Sequence, residues 1–168
     1  MGQYNVNNQW VSLNELEEVL NSDMEIVIGN EARESIIKCR EYLDRKVDDA
    51  NSLIYGVNTG FGSLCNVAID NHNLEKLQKN LVLSHACGAG ERVPDHIVRR
   101  MLLLKILGLS HGNSGVQIET IERLAFFYNS NILPVLYQQG SLGASGDLAP
   151  LAHMAMALLG EGDVVNNG

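Results

Sequence analysis

The chain has 168 residues, 20 acidic and 12 basic, for a formal net charge of −8. That balance excludes the basic footprint of a nucleic-acid binder, and 45% hydrophobic against 19% charged residues excludes a disordered tail. The longest dense apolar run, residues 101–104 followed by Lys105-Ile106-Leu107, is far short of the roughly 20 residues a membrane-spanning helix needs. The first residues, Met1-Gly2-Gln3-Tyr4-Asn5, carry neither the basic nor the apolar part of a secretory leader. Cys39, Cys65 and Cys87 are an odd set whose spacings fit neither a zinc ribbon nor a redox pair. They read as reduced thiols of a cytoplasmic protein.

In chain order, Ser12 with Glu15 makes a capping box ahead of Leu13, Leu16, Val19 and Leu20, which predicts a helix over about 13–20. Glu25-Ile26-Val27-Ile28 is at most a short strand. Asn30 can cap a second helix whose apolar side carries Ile36, Ile37, Tyr42 and Leu43. Leu53-Ile54-Tyr55 looks extended, and residues 56–71 read as a glycine-rich loop. Leu74, Leu77, Leu81 and Val82 then recur at helical spacing. Pro94 opens a helix bearing Ile97, Met101, Leu104 and Leu107. Ser114 with Gln117 is a second capping box, placing Ile121, Leu124, Ala125 and Tyr128 on one face. After a loop holding Pro134, Gly140, Gly143 and Gly146, Asp147 can cap a last helix that tolerates Pro150 in its first turn and stops at Gly160. The class is mainly α with little sheet.

Fourteen of the 16 glycines lie from Gly56 onward, so the unusual backbone belongs to the later part of the chain. Neither Gly60-Phe61-Gly62 nor Gly88-Ala89-Gly90 completes a dinucleotide-binding fingerprint, and no phosphate loop or HExxH is present. Gly143-Ala144-Ser145-Gly146-Asp147 misses the nucleophile elbow GxSxG by its last residue. No motif requires a metal.

The same segment has a different chemical capacity. Gly146 lacks a Cβ, so its nitrogen can be pressed toward the Ala144 carbonyl carbon, and closure with dehydration gives a five-membered ring. Loss of the Ser145 hydroxyl as water then leaves a conjugated methylidene, an electrophile that no ordinary side chain supplies. An ordinary turn is the competing reading, and the tripeptide occurs by chance about 0.07 times in a chain this long.

Within its flanks, Gly140-Ser141-Leu142-Gly143-Ala144-Ser145-Gly146-Asp147-Leu148-Ala149-Pro150-Leu151-Ala152-His153 closely resembles the signature of the aromatic amino-acid ammonia-lyases. These enzymes carry the 4-methylideneimidazole-5-one (MIO) group. Tyr55-Gly56-Val57-Asn58-Thr59-Gly60-Phe61-Gly62 resembles the family's tyrosine loop, and Leu81-Val82-Leu83-Ser84-His85-Ala86-Cys87-Gly88 its substrate-selecting helix end. The resemblance implies that Ala144, Ser145 and Gly146 form the MIO group, that Asp147 supports its closure, and that Tyr55 is the base that removes the substrate's β-proton. Ser84-His85 at the selecting position implies L-histidine as substrate, deaminated to trans-urocanate, the first step of histidine degradation. Phenylalanine or tyrosine lyase or aminomutase activity is the alternative within the family. A truncated, non-catalytic helical fragment that associates with other chains is the alternative outside it.

The fold implied is the N-terminal part of that of the histidine and phenylalanine ammonia-lyases, a small α-rich domain leading into a helical bundle. Residues 1–168 would carry the tyrosine loop (55–62), the selectivity segment (81–88) and the MIO loop (140–153), without the C-terminal helical part. Family members are several times longer and assemble as homotetramers, and their later helices supply the carboxylate-binding residues. His111 and Gln117 stand where the family often has arginine.

Each candidate has an ordinary competitor. A phenol with a pKa of about 10 is a poor base at neutral pH without a positive charge or donors at its oxygen. His85 by default is a hydrogen-bonded structural histidine, a reading kept for His153, which lies beside the stripe Leu151, Met154, Ala155 and Leu158. Met101, Met154 and Met156 are core by default, and Cys87 is given no role.

Overall fold

The computed structural model describes residues 2–48, 53–62, 65–67, 69, 71–143 and 146–166. They form β1 (Gln3–Val6), α1 (Leu13–Leu20), β2 (Glu25–Ile28), α2 (Asn30–Asp48), α3 (Leu74–His85), β3 (Ala89–Arg92), α4 (Asp95–Ser110), α5 (Ile118–Asn129), β4 (Ile132–Pro134), β5 (Tyr137–Gln139), α6 (Ala149–Leu158) and β6 (Val164–Asn166). Asn71–Asn73 is a single 3₁₀ turn leading into α3. The mainly α class is what the structure has, with sheet confined among the described residues to three two-stranded pairs. No helix among the described residues is long and apolar enough to cross a membrane.

The chain divides into two compact units. The first comprises Met1–Tyr42, Pro94–Leu133 and Val165–Gly168. Its β1 and β2 run parallel, Tyr4 opposite Ile26 and Val6 opposite Ile28, with α1 as the crossover. On α1 the Ser12 hydroxyl accepts the Glu15 N–H at 3.2 Å, as the capping box requires. The Glu15 carboxylate turns instead to Tyr4, whose hydroxyl donates to it at 2.9 Å. Burial first, then this acidic partner, push the Tyr4 phenol up to about 12. Asn129 at the end of α5 occupies the position of a neighbouring strand: its Oδ1 accepts the Ile26 N–H and its Nδ2 donates to the Ile26 carbonyl, both at 2.9 Å. A side-chain amide thus satisfies backbone groups that β1 does not reach.

The core of this unit is Val98, Leu102, Leu103 and Ile106 of α4 against Ile121, Leu124, Ala125 and Tyr128 of α5. The α5 face is the one its periodicity predicts. The α4 face is not: Ile97 and Leu104 are exposed, and the buried stripe is Val98, Leu102, Leu103, Ile106 and Leu109. Residues 101–104 are apolar throughout, so spacing alone could not orient the helix. Ile37 and Tyr42 of α2 and Leu151 of α6 are also exposed, while the smaller Ala32 and Ala152 are buried.

Two caps differ from expectation. Asn30 is the first helical residue of α2, and the Gly29 carbonyl accepts the Arg33 N–H at 3.0 Å. Gln117, not Ser114, stands at the N-cap of α5, with no side-chain cap bond.

The second unit comprises Leu43–Val93 and Pro134–Val164. Leu53-Ile54-Tyr55 enters a turn there rather than a strand. Helices α3 and α6 pack together, and β3 pairs antiparallel with β5. Pro150 lies in the first turn of α6, and Gly160, at φ +75°, follows its end, as predicted.

Candidate functional site

The three motifs singled out by sequence all lie in the second unit. The tyrosine loop is a tight turn closed by its own polar side chains. Asn58 Oδ1 accepts the Ile54 N–H at 2.7 Å, and Thr59 Oγ1 accepts the Gly56 N–H at 3.2 Å. Both side chains are buried, so these bonds are shielded from water. Gly56 has φ +71°, and a Cβ there would come within 2.7 Å of the Phe61 ring. Glycine is therefore required twice over.

Tyr55 is exposed, and its hydroxyl oxygen accepts the Gly62 N–H at 3.3 Å. Gly62 turns at φ +58° in supplying it. The Tyr55 ring lies 5.6 Å from Phe61, which meets His85 edge-on at 5.2 Å.

His85 is the last residue of α3. Its Nδ1 is 2.7 Å from the Leu81 carbonyl oxygen, with the Ser84 hydroxyl at 3.2 Å. A carbonyl only accepts, so Nδ1 carries the hydrogen, and in the neutral ring Nε2 holds the lone pair. Ser84 itself donates to Leu81 O at 3.1 Å. The pair is thus ordered by the last turn of its own helix.

His153 is the same tautomer but is engaged at its other nitrogen. Its Nε2 accepts the Gly88 N–H at 2.9 Å, and its ring meets Tyr137 at 5.2 Å. Burial holds its pKa below the ordinary histidine value, in keeping with a neutral acceptor. A Cβ on Gly88 would lie 2.9 Å from that nitrogen, so the glycine permits the contact. Cys87 beside it is exposed.

In the third motif, Ala144 and Ser145 lie outside the described residues. Around them, Asp147 ties the loop shut: its Oδ1 accepts the Ser141 N–H at 2.8 Å, the Ser141 hydroxyl at 3.0 Å and the Ala149 N–H at 3.0 Å. The Ala149 and Ser141 amides hold this carboxyl below the usual carboxylate range. Leu148 is the formal N-cap of α6, but Asp147 does the capping. A Cβ at Gly140 would collide with the Asp147 carboxylate, and one at Gly143 would lie 2.7 Å from Gly146 O. Gly146 has φ +118°. The ends of the loop are pressed together at positions where only glycine fits.

His111 and Gln117 belong to the first unit. His111 Nδ1 lies 3.0 Å from the Asn8 carbonyl oxygen, and the ring tilts against Trp10 at 5.6 Å. Among the described residues no group of three His, Cys, Asp or Glu side chains is gathered to hold a metal. Sequence reasoning missed Asn58, Thr59, Ser141 and Gln78. The first three look like ordinary turn residues, and Gln78, whose Nε2 donates to both Gly56 O and Val57 O, sits on an exposed helix face.

A family signature described as aromatic amino acid lyase matches residues 11–168. The chain belongs to the aromatic amino acid lyase family. One such lyase, the histidine ammonia-lyase of Geobacillus thermodenitrificans, is 52% identical over 138 residues, covering 82% of this chain and 27% of the relative. Crystal structures in the same fold include the Trypanosoma cruzi histidine ammonia-lyase, at TM-score 0.83 and 32% identity over 97% of this chain and 30% of that one. Pantoea agglomerans phenylalanine aminomutase superposes at TM-score 0.88 with 30% identity, over 100% of this chain and 32% of its own. The chain spans about a third of the length of the curated relatives it matches.

Proposed function

We propose that the protein to which this chain belongs eliminates ammonia from L-histidine to give trans-urocanate. The observation that carries this reading is the His85 tautomer: with Nδ1–H committed to Leu81 O, Nε2 is an acceptor suited to the ring N–H of an imidazole. An aromatic hydrocarbon ring has no such donor. Curated relatives named histidine ammonia-lyase, at 41–52% identity, support it.

Ala144, Ser145 and Gly146 are the residues that would form MIO, Gly146 nitrogen bonding to the Ala144 carbonyl carbon with loss of one water and Ser145 losing its hydroxyl as a second. The residues on either side of that tripeptide fit such a closure, because Asp147 bonds both Ser141 and Ala149 and a Cβ at Gly143 would lie 2.7 Å from Gly146 O. When formed, the group supplies an electrophile that turns the substrate nitrogen into a better leaving group. Tyr55, with the Gly62 amide at its oxygen, takes the β-proton as ammonia departs with the carbon–nitrogen electron pair. Assembly as a homotetramer belongs with this reading.

The test uses the full-length enzyme. Its intact mass is expected to fall short of the sequence mass by two water molecules, and histidine to yield urocanate absorbance. Tyr55→Phe keeps the mass deficit and loses roughly 10²- to 10⁴-fold in rate. An unmodified mass in active enzyme would refute the proposal. A second reading, an aminomutase acting on an aromatic amino acid, is favoured by the similarity to the Pantoea agglomerans enzyme. It predicts a β-amino acid product in the same assay.

A further inference from the structure

We propose that Gln78 is a positioning residue that sets the placement of Tyr55 relative to His85. The inference rests on the roles proposed above for those two residues. Gln78 Nε2 donates to the carbonyls of Gly56 and Val57, at 2.9 and 2.8 Å, the two residues that follow Tyr55. Both amide hydrogens of one side chain are used on consecutive peptides of the tyrosine loop. Seven residues on, His85 ends the same helix, two turns away on the same face and about 10 Å along the axis. There Phe61, from the far end of the loop, meets the His85 ring.

The loop is therefore fastened to α3 at two points. The polar clamp at Gln78 lies beside Tyr55, and the aromatic contact lies at His85. Bonds within the loop, from Asn58 and Thr59, set its shape but not its location on the helix. Apolar packing supplies little of that location, since no residue of α3 is fully buried. Gln78 is exposed, so its bonds compete with water and add little to global stability. Their effect falls on geometry, where displacing a reacting group by about 1 Å can cost about 10²-fold.

The experiment uses full-length enzyme with three substitutions. Gln78→Glu keeps size and shape but replaces the donor with an acceptor facing two carbonyls. Gln78→Ala deletes the clamp, and Gln78→Lys keeps a donor at similar reach. Gln78→Glu is expected to lower kcat about 100-fold with KM for histidine changed far less, and to raise the β-deuterium isotope effect as proton removal slows. Gln78→Ala falls between Gln78→Glu and wild type, and Gln78→Lys recovers most of the rate. Thermal midpoints should stay close to wild type.

Amide exchange over residues 54–62 is followed in the same proteins, where faster exchange in Gln78→Glu and Gln78→Ala but not in Gln78→Lys is expected. Unchanged kcat and exchange in Gln78→Glu would overturn the inference, as would a Gln78→Lys variant as impaired as Gln78→Glu. If wild-type enzyme converts no aromatic amino acid, the proposed activity fails, and the exchange measurement alone still decides whether Gln78 holds the loop.

Discussion

The two units of this chain are held together by different physics. In the first, Leu102, Leu103, Ile106, Ile121 and Leu124 are sealed from solvent, and each such side chain contributes about 1.5–3 kcal/mol by burial. In the second, the buried residues are mostly small or polar, among them Ala149, Ala152, Ala157, Asn58 and Thr59, with Pro134, Leu136 and Met154 the larger exceptions. Its order comes from side chains spent on backbone: Asn58 on Ile54, Thr59 on Gly56, Gln78 on Gly56 and Val57, Asp147 on Ser141 and Ala149, His153 on Gly88. Each bond contributes only about 1 kcal/mol net but fixes a direction as well as a distance. Stability is concentrated where side chains are apolar, and positional precision where the candidate chemistry is.

The contrast breaks most visibly if the second unit is altered at its selecting pair. In the full-length enzyme, changing Ser84-His85 to Phe-Leu should cut histidine turnover by about 10⁴-fold, since a polar substrate group loses its partner. It should also bring some turnover of phenylalanine, with the thermal midpoint little changed. Urocanate and cinnamate absorbance measure both, and an unchanged histidine preference would overturn the assignment of His85.

The converse experiment removes apolar volume from the first unit. Leu102→Ala should destabilise by about 2–5 kcal/mol, read from urea midpoints, because the site has no solvent to fill the cavity. Asn58→Ala comes next, at about 1–3 kcal/mol, since it strands the Ile54 N–H. Its larger signature should be faster amide exchange across the tyrosine loop than anywhere in α4.

The smallest effect is in the pH response of His153. Burial lowers its folded-state pKa below the ordinary value of about 6.5, so the folded form binds fewer protons than the unfolded one just below that pH. Its contribution is complete above about pH 6.5 and is lost as pH falls toward the lowered folded value. Protonation would also place a hydrogen on Nε2, against the Gly88 N–H. Urea midpoints of wild type should fall as pH drops below about 6.5 relative to His153→Phe, which keeps an aromatic ring but does not titrate. Parallel curves for the two proteins would assign the acid response to other groups.

Much of this was written in local sequence. The bounds of α1, the Pro94 start of α4, the Gly160 stop of α6 and the buried face of α5 follow from capping chemistry and spacing, and the structure has each of them. Those signals act within one or two turns, and local geometry is what they report. Strand β1 is not legible in the sequence, because four residues with a single buried side chain carry too little pattern. Nor does spacing show that β2 is half of a parallel crossover, since pairing across α1 leaves no local pattern.

The composition, the order of the three motifs and the glycine positions are properties of the sequence itself, and they were sufficient for the family and for the named candidates Tyr55, Ser84, His85 and Ala144 to Asp147. Tertiary structure decided which side of an all-apolar helix such as α4 faces inward, which histidine nitrogen carries the hydrogen, and that Gln78 reaches across to the tyrosine loop. The physical reason is common to all three. Each depends on what lies opposite in space, and a residue's own neighbours in the chain carry no record of that.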